Sequence, residues 1–236
     1  MNTDVVILCG GIGSRLTPLI ADRPKPMADI NGEPFLNILI NHYKSFGIKR
    51  FILCTGHMSG FIENYYALNN PAAEIVISKE DTPLGTAGAV KNAEPLINTN
   101  SFFVINGDSF CNVNLAGFHS FHIRTSASAS MVLTTAATKD PQSCGSVITD
   151  NSQKITGFIE KTTAYKTPLI NAGIYIFNKS ILSLIPPAIK MSLEYDLFPK
   201  IVNSGFYGYT TNKTLFDIGT PDKYYIAVKE LKQSTR

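Results

Sequence analysis

Directly after the apolar run Val5–Leu8 the chain reads Cys9-Gly-Gly-Ile-Gly-Ser-Arg15, and soon afterwards Arg23-Pro-Lys-Pro-Met27. Glycine reaches dihedrals closed to other residues and sets no side chain between its amide and an anion. Gly10, Gly11 and Gly13, with Ser14 beside them, therefore suit a loop that wraps phosphates. Arg15 and Lys25 supply the charge that amides alone lack. The spacing narrows the kind of loop. A Walker loop needs Lys-Ser/Thr right after its last glycine, where Ser14-Arg15 stands, and a dinucleotide fingerprint needs a glycine where Leu16 stands. A plain glycine turn between strand and helix is the competing reading, and the proline-held Lys25 weighs against it.

Carboxylates fall where nucleotide chemistry would need a metal. Asp108 follows Asn106-Gly107 at the end of the apolar Phe102–Ile105, and Asp217 stands in Phe216-Asp-Ile-Gly-Thr-Pro-Asp222. A helix start accounts for Thr220 as cap, Pro221 in the first position and Asp222 in the first turn, but not for Asp217. Two hard oxygen ligands from separate strands suit Mg²⁺ when substrate phosphates and water complete its shell. Glu160-Lys161 closes the strand-like Ile155–Ile159, either as a surface ion pair or as a corner of a site. Asn171-Ala-Gly173 precedes a further strand and offers an amide and an approachable backbone to a polyol, or else a simple turn. In Ser192-Leu-Glu-Tyr-Asp196, Ser192 reads as a helix cap; Glu194 either favours the positive end of that helix or accepts a hydroxyl.

Such scattered residues meet only if a sheet gathers them. Apolar runs of strand length alternate with amphipathic stretches: Val5–Leu8, a helix over Phe35–Phe46, Phe51–Cys54, a helix near Phe61–Leu68, Ile75–Ile77, a helix opened by Leu84-Gly-Thr-Ala-Gly-Ala-Val90, and Phe102–Ile105. This βαβ rhythm, with continuous rather than alternating strand runs, predicts an α/β fold: a Rossmann-like three-layer αβα sandwich around a mixed, mostly parallel sheet. Sites in such sheets gather at the carboxyl ends of strands. From Ser128 the pattern turns β-rich, with Ala129–Thr135, Gly145–Thr149, Ile155–Ile159 and Gly173–Phe177. A helix over Leu193–Asn203, a strand at Leu215–Ile218 and a terminal helix from Pro221 follow. One domain over residues 1–236 is expected, with a nucleotide-binding half to about 127 and an acceptor-binding half from about 128.

With 236 residues and 44% hydrophobic composition the chain can bury a full core. A net charge of +3, spread over scattered basic residues, argues against nucleic acid or a membrane surface and in favour of small anions. No apolar stretch approaches a membrane span and the first strand begins at once, so a cytoplasmic protein without a signal sequence is expected. Cys9, Cys54, Cys111 and Cys144 form no CxxC pair and read as structural. His42, His57, His119 and His122 show no zinc-protease pattern and suit surface or helix positions.

With these residues in place, the chain resembles the sugar-phosphate nucleotidyltransferases from end to end. The resemblance rests on Gly10-Gly-Ile-Gly-Ser-Arg-Leu-Thr-Pro-Leu19, Pro24-Lys-Pro-Met27, Leu84-Gly-Thr-Ala-Gly-Ala89, Asn106-Gly-Asp108, Phe158-Ile-Glu-Lys161, Asn171-Ala-Gly-Ile-Tyr175 and Phe216-Asp-Ile-Gly-Thr220, in family order. Within that family the length, Cys144-Gly-Ser-Val147 and Ser192-Leu-Glu-Tyr-Asp-Leu-Phe-Pro199 are most similar to the D-glycero-D-manno-heptose 1-phosphate guanylyltransferases, although the usual Tyr is Cys144 here. The resemblance implies that a nucleoside triphosphate, GTP foremost, reacts with a sugar 1-phosphate to give a nucleotide sugar and pyrophosphate. It implies that residues 10–15 wrap the triphosphate, with Arg15 on the departing pyrophosphate and Lys25 near the α-phosphate. Leu8, Gly10, Gly85 and Thr86 would frame base and ribose, and Asp108 and Asp217 would hold Mg²⁺. Lys161 would hold the acceptor phosphate, and Gly145, Glu160 and Asn171 the acceptor hydroxyls.

Two rivals stand beside this expectation. A phosphocholine cytidylyltransferase, or a transferase for another hexose 1-phosphate, keeps the fold and changes the acceptor; a quaternary ammonium would need a cage built from Tyr or Phe, since the chain has no Trp. A non-catalytic nucleotide sensor has no use for both a leaving-group cation and an acceptor-phosphate lysine. Sequence leaves the nucleobase open, and equally whether the chain forms a homodimer.

Overall fold

A computed structural model describes residues 2–16, 18–69, 71–135, 144–160 and 167–231. Its elements are β1 (Val5–Leu8), the short hairpin β2 (Asp29–Ile30) and β3 (Glu33–Pro34), α1 (Phe35–Ser45), β4 (Arg50–Thr55), α2 (Ser59–Leu68), β5 (Glu74–Lys79), α3 (Gly85–Asn92), β6 (Ser101–Asn106) and β7 (Ser109–Cys111). Then come α4 (Leu115–Arg124), β8 (Ala129–Thr134), β9 (Ser146–Thr149), β10 (Ile155–Ile159), β11 (Ile170–Asn178), a π-helical turn (Leu193–Leu197), α5 (Phe198–Ile201), β12 (Phe206–Thr211), β13 (Leu215–Asp217) and α6 (Pro221–Leu231).

The central sheet, nine-stranded among the described residues, runs β10-β9-β11-β6-β1-β4-β5, with β8 pairing β11 and β12. Parallel pairing of β6, β1, β4 and β5 sets Leu8 level with Asn106 and Cys54, and Thr55 level with Lys79. These strands therefore end at one edge, and the segments carrying Gly10, Gly56, Glu80 and Asp108 leave from it. β11 runs antiparallel to β6 with Ile174 opposite Ile105, so its beginning, residues 171–173, reaches that same edge. The sheet is parallel across β6, β1, β4 and β5 and mixed from β11 onward. Off its edge, β13 pairs with β7 so that Asp217 lies opposite Ser109, one residue from Asp108.

Successive strand residues feed opposite faces, which is why the runs are apolar throughout. Val5 and Ile7 join a core with Leu36, Leu39 and Tyr43 of α1, Ile62 of α2, Phe118 and Phe121 of α4, and Ala227 and Leu231 of α6. Val6 joins Ile52 and Val104 with Ala87 and Val90 of α3 and Phe198 and Ile201 of α5 on the other side. Each fully buried Leu or Phe contributes about 1.5–3 kcal/mol. Two boundaries differ from expectation. β11 begins at Ile170, before Gly173, because a register shift between Asn171 and Tyr175 lets the strand pass a residue at positive φ. The helix after Ser192 ends at Ile201 instead of Asn203, where a φ of 65° at Asn203 turns the chain. Among the described residues no helix is long and apolar enough to cross a membrane.

Three cysteines and two histidines pack into the fold, whereas Cys144 is half-buried and His57 is exposed. Cys9, Cys54 and Cys111 are buried, and burial pushes the thiols of Cys54 and Cys111 up to about 12. His119 and His122 lie on α4, and buried His122 bridges Ser130 Oγ at 2.9 Å and Asn178 Oδ1 at 3.1 Å. His42 sits edge-on to Tyr43, Phe46 and Phe110 with Nε2 unpartnered among the described residues. Burial lowers its pKa from 6.5 to about 4. The unfolded chain then takes up this proton below pH 6.5 but the folded protein only near pH 4, so stability is lost as pH falls through that window. The loss should amount to about 3 kcal/mol. Urea unfolding at pH 7 and pH 4.5 checks this: a His42→Phe variant should lose less stability on acidification than the wild type, and equal losses would contradict it.

Candidate active site

A cleft of about 630 Å³ opens on the gathered edge, a size suited to a nucleotide and a small acceptor. Leu8, Gly10, Gly11, Gly13, Ser14, Arg15 and Lys25 line it, as do Gly85, Thr86, Asp108, Gly145, Glu160, Asn171, Glu194 and Asp217. Of the residues singled out from sequence, Lys161 lies outside the described residues.

In the glycine loop, the amides of residues 11–15 have no acceptor among the described residues, leaving consecutive donors for an anion. The three glycines are not alike. Gly13 alone of them has positive φ, 65°, and a Cβ there would stand 2.9 Å from Lys25 Cβ, so glycine is what lets Lys25 close on the loop. Nothing lies within 4 Å of a Cβ at Gly11, which corrects the expectation of special backbone demands at all three. Lys25 starts a single 3-10 turn between Pro24 and Pro26, whose rings restrict the backbone on both sides. Its Nζ donates to Asp108 Oδ2 at 2.6 Å.

Asp108 is enclosed by protein on most sides, but 40% of its side chain remains open to the cleft. Burial raises its pKa, yet the charge and hydrogen bond of Lys25, aided by Arg15, outweigh this and hold the carboxyl below its ordinary range. Asp217 accepts the Gly219 amide on Oδ1 and Lys223 Nζ, 2.7 Å away, on Oδ2. Lys25 Nζ and Asp217 Oδ1 flank one point, lying 3.3 and 2.6 Å from where a Cβ on Gly219 would stand. Two carboxylates that converge beside a phosphate loop are hard donors fit for Mg²⁺.

At the N-terminus of α3 the amides of Ala87 and Gly88 are taken, both donating to Met191 O, while those of Gly85 and Thr86 have no acceptor among the described residues. Thr86 Oγ1 donates to Glu194 Oε2 at 2.9 Å and accepts the Leu193 amide. Ser192 caps the π-helical turn as expected, accepting from the amides of Glu194 and Tyr195. Thr86 and Glu194 thus clamp two walls of the cleft together. Asn171 is likewise committed: Nδ2 donates to Tyr175 OH and Oδ1 accepts the Gly173 amide. It stands inside β11 instead of before it, so its carboxamide chiefly shapes the bulge that Gly173 makes. A Cβ on Gly145 would meet Glu160 Oε2 at 2.7 Å, which brings those two together.

Several lining residues stand outside the candidate site residues read from the sequence. Glu80 follows β5 as Asp108 follows β6, and the rule that sites gather at strand ends would have found it. Its Oε2 accepts the Leu84 amide at 3.1 Å while Oε1 approaches the backbone of Gly10 and Gly56; burial raises its pKa. Asn106 Oδ1 and Ser109 Oγ are buried and unpartnered among the described residues, and both residues line the cleft. Unmet polar atoms of this kind cost about 1–3 kcal/mol each unless something in the cleft pairs with them. Lys223, beneath Asp217, is equally unmarked.

A loop of unpaired amides flanked by Arg15 and Lys25, with paired carboxylates beside it on the carboxyl edge of a mixed sheet, defines a nucleotidyltransferase. The nucleotidyl transferase family model matches residues 4–234, and the chain belongs to that family. It is 36% identical over 230 residues to the D-glycero-alpha-D-manno-heptose 1-phosphate guanylyltransferase of Aneurinibacillus thermoaerophilus, which covers 97% of this chain and 98% of the relative. It is 33% identical over 227 residues to the mannose-1-phosphate guanylyltransferase of Mycobacterium tuberculosis, covering 94% of this chain but spanning only 63% of that longer protein. Among solved structures, HddC from Yersinia pseudotuberculosis superposes with a TM-score of 0.85 at 34% identity, over 97% of this chain and 99% of that one. HddC has also been crystallised with GMP-PN.

Proposed function

We propose that this enzyme joins GTP to a D-glycero-D-manno-heptose 1-phosphate, releasing pyrophosphate, in the cytoplasm, and that the GDP-sugar feeds surface polysaccharide synthesis. The observation that carries the reaction is that one cleft is lined by the unpaired loop amides, Arg15 and Lys25, by Asp108 and Asp217, and by Gly145 and Glu160. The heptose acceptor is supported by the relative matched along both lengths, as against the mannose enzyme matched over 63% of its own.

A phosphate oxygen of the acceptor attacks the α-phosphorus in line. A P–O bond forms there as the bond to the β-phosphate breaks and pyrophosphate leaves. Both reactants are anions, so catalysis is chiefly positioning and charge cancellation. Arg15 takes the leaving pyrophosphate, Lys25 turns from Asp108 to the α-phosphate, and Lys161 holds the acceptor phosphate. Asp108 and Asp217 would hold Mg²⁺, which when bound would supply further neutralisation of the triphosphate. A phosphate monoester is already nucleophilic at neutral pH, so no base is needed, in keeping with histidines that sit away from the cleft lining.

Glu80 supports guanine. Among the nucleobases only guanine presents two adjacent donors, N1–H and the N2 amine, on one edge, and an ionised carboxylate is an acceptor alone. Glu80→Gln should therefore lower kcat/KM for GTP about 10- to 100-fold while changing that for ATP little; equal losses for both would remove Glu80 from base selection. Tyr195 is the one aromatic ring lining the cleft among the described residues, which is poor material for a phosphocholine cage. Pyrophosphate release tests the whole: ATP, GTP, CTP, UTP and dTTP crossed with hexose and heptose 1-phosphates and phosphocholine. GTP with the heptose should be fastest. A faster pairing would change the substrates, and no release from any pair would overturn the assignment.

A further inference from the structure

Each carboxylate oxygen of Asp217 already accepts a hydrogen bond within the protein. Its Oδ1 accepts the Gly219 amide, and its Oδ2 accepts Lys223 Nζ at 2.7 Å. Lys223 is the third residue of α6, and its side chain is only 10% exposed. It does not line the cleft, and it bonds into the site at Asp217. The second carboxylate is paired too, Asp108 with Lys25 at 2.6 Å, and the two pairs abut beside Gly219. Two ammonium groups thus balance two carboxylates. Lys25 can be drawn away by an arriving triphosphate, whereas Lys223 stays packed beneath Asp217.

Resting on the function above, we propose that Lys223 is a positioning residue that weakens the site's hold on a lone divalent cation by competing for Asp217. A cation can use Asp217 only by displacing or sharing the ammonium already paired with it, so a free cation meets a site whose carboxylates are already neutralised. A cation accompanied by a triphosphate does not, because the phosphate charges offset the ammonium groups and complete the ligand shell. The metal then enters with the nucleotide, and the empty enzyme does not gather cations alone.

Binding of Mn²⁺ to the full chain without nucleotide, read from the electron paramagnetic resonance signal of the free ion, tests this. Lys223→Met and Lys223→Gln should each tighten Mn²⁺ binding roughly tenfold, and Lys223→Arg should leave it as in the wild type. In an Asp217→Asn background Lys223→Met should change nothing. The two neutral variants serve as checks on each other should one fold poorly. Unchanged or weaker Mn²⁺ binding in the neutral variants overturns the proposal, as does tightening that survives the loss of Asp217. Pyrophosphate release by the wild type separates the two levels: turnover together with unmoved Mn²⁺ affinity overturns this inference alone, and absence of turnover overturns the function on which it rests.

Discussion

Asp108→Asn is expected to lower turnover at least about a hundredfold while the protein stays folded. Asparagine keeps the shape of the side chain and can still accept from Lys25 Nζ, which donates to Asp108 Oδ2 at 2.6 Å, but it removes the charge. That charge fixes Lys25 beside the glycine loop, and in the proposed function it also supplies one of two anionic ligands for the cation between the reacting phosphates. Steady-state rates with a thermal melt on the same sample check the outcome. If the ion pair were merely a strut, the variant would melt lower with turnover within tenfold of wild type, and the role assigned to Asp108 would fall.

Gly85→Ala should cost about 3 kcal/mol of stability and weaken nucleotide binding. The residue has a φ of 71°, where alanine pays about 1–2 kcal/mol. A Cβ there would also stand 2.6 Å from Met191 O, far inside contact distance. The Met191 segment cannot simply withdraw, because its carbonyl is held by the amides of Ala87 and Gly88. Moving it would disturb the clamp between Thr86 and Glu194 that joins the walls of the cleft. Overpacking of this kind adds about 1–3 kcal/mol to the backbone strain. Urea unfolding gives the stability, and titration with a GTP analogue the affinity. A variant as stable as the wild type would show that the wall is softer than its hydrogen bonds indicate.

Much of the fold and site is legible in the sequence because the signals are local. Val5–Leu8, Phe102–Ile105 and the helix at Phe35 announce themselves by apolar runs and periodicity, and the strand-end rule by itself puts Gly10 and Asp108 on one edge. Asp217 stands out because helix capping explains Thr220 and Asp222 and leaves it over. The features that stay hidden depend on contacts across the chain. That Thr86 meets Glu194, that Asn171 turns back to Tyr175, and that Lys223 lies under Asp217 are outcomes of tertiary packing, with no trace in the spacing of neighbours. The reversed direction of β11 is hidden for the same reason: its residues are apolar in either orientation, and only pairing with β6 reveals that Asn171 arrives at the edge from the start of a strand. Glu80 is different, since its position after β5 is available to the strand-end rule and the acidic Glu80-Asp81 pair simply resembles a solvated turn.

In the proposed function Asp108 and Asp217 jointly hold the cation that lets two anions meet. A crystal grown with Mn²⁺ and a slowly reacting GTP analogue, probed by anomalous scattering, addresses it directly. A peak within coordination distance of an oxygen from each aspartate, with Lys25 turned toward the phosphates, is the expected result. A peak elsewhere, with both lysine–aspartate pairs intact, would contradict it.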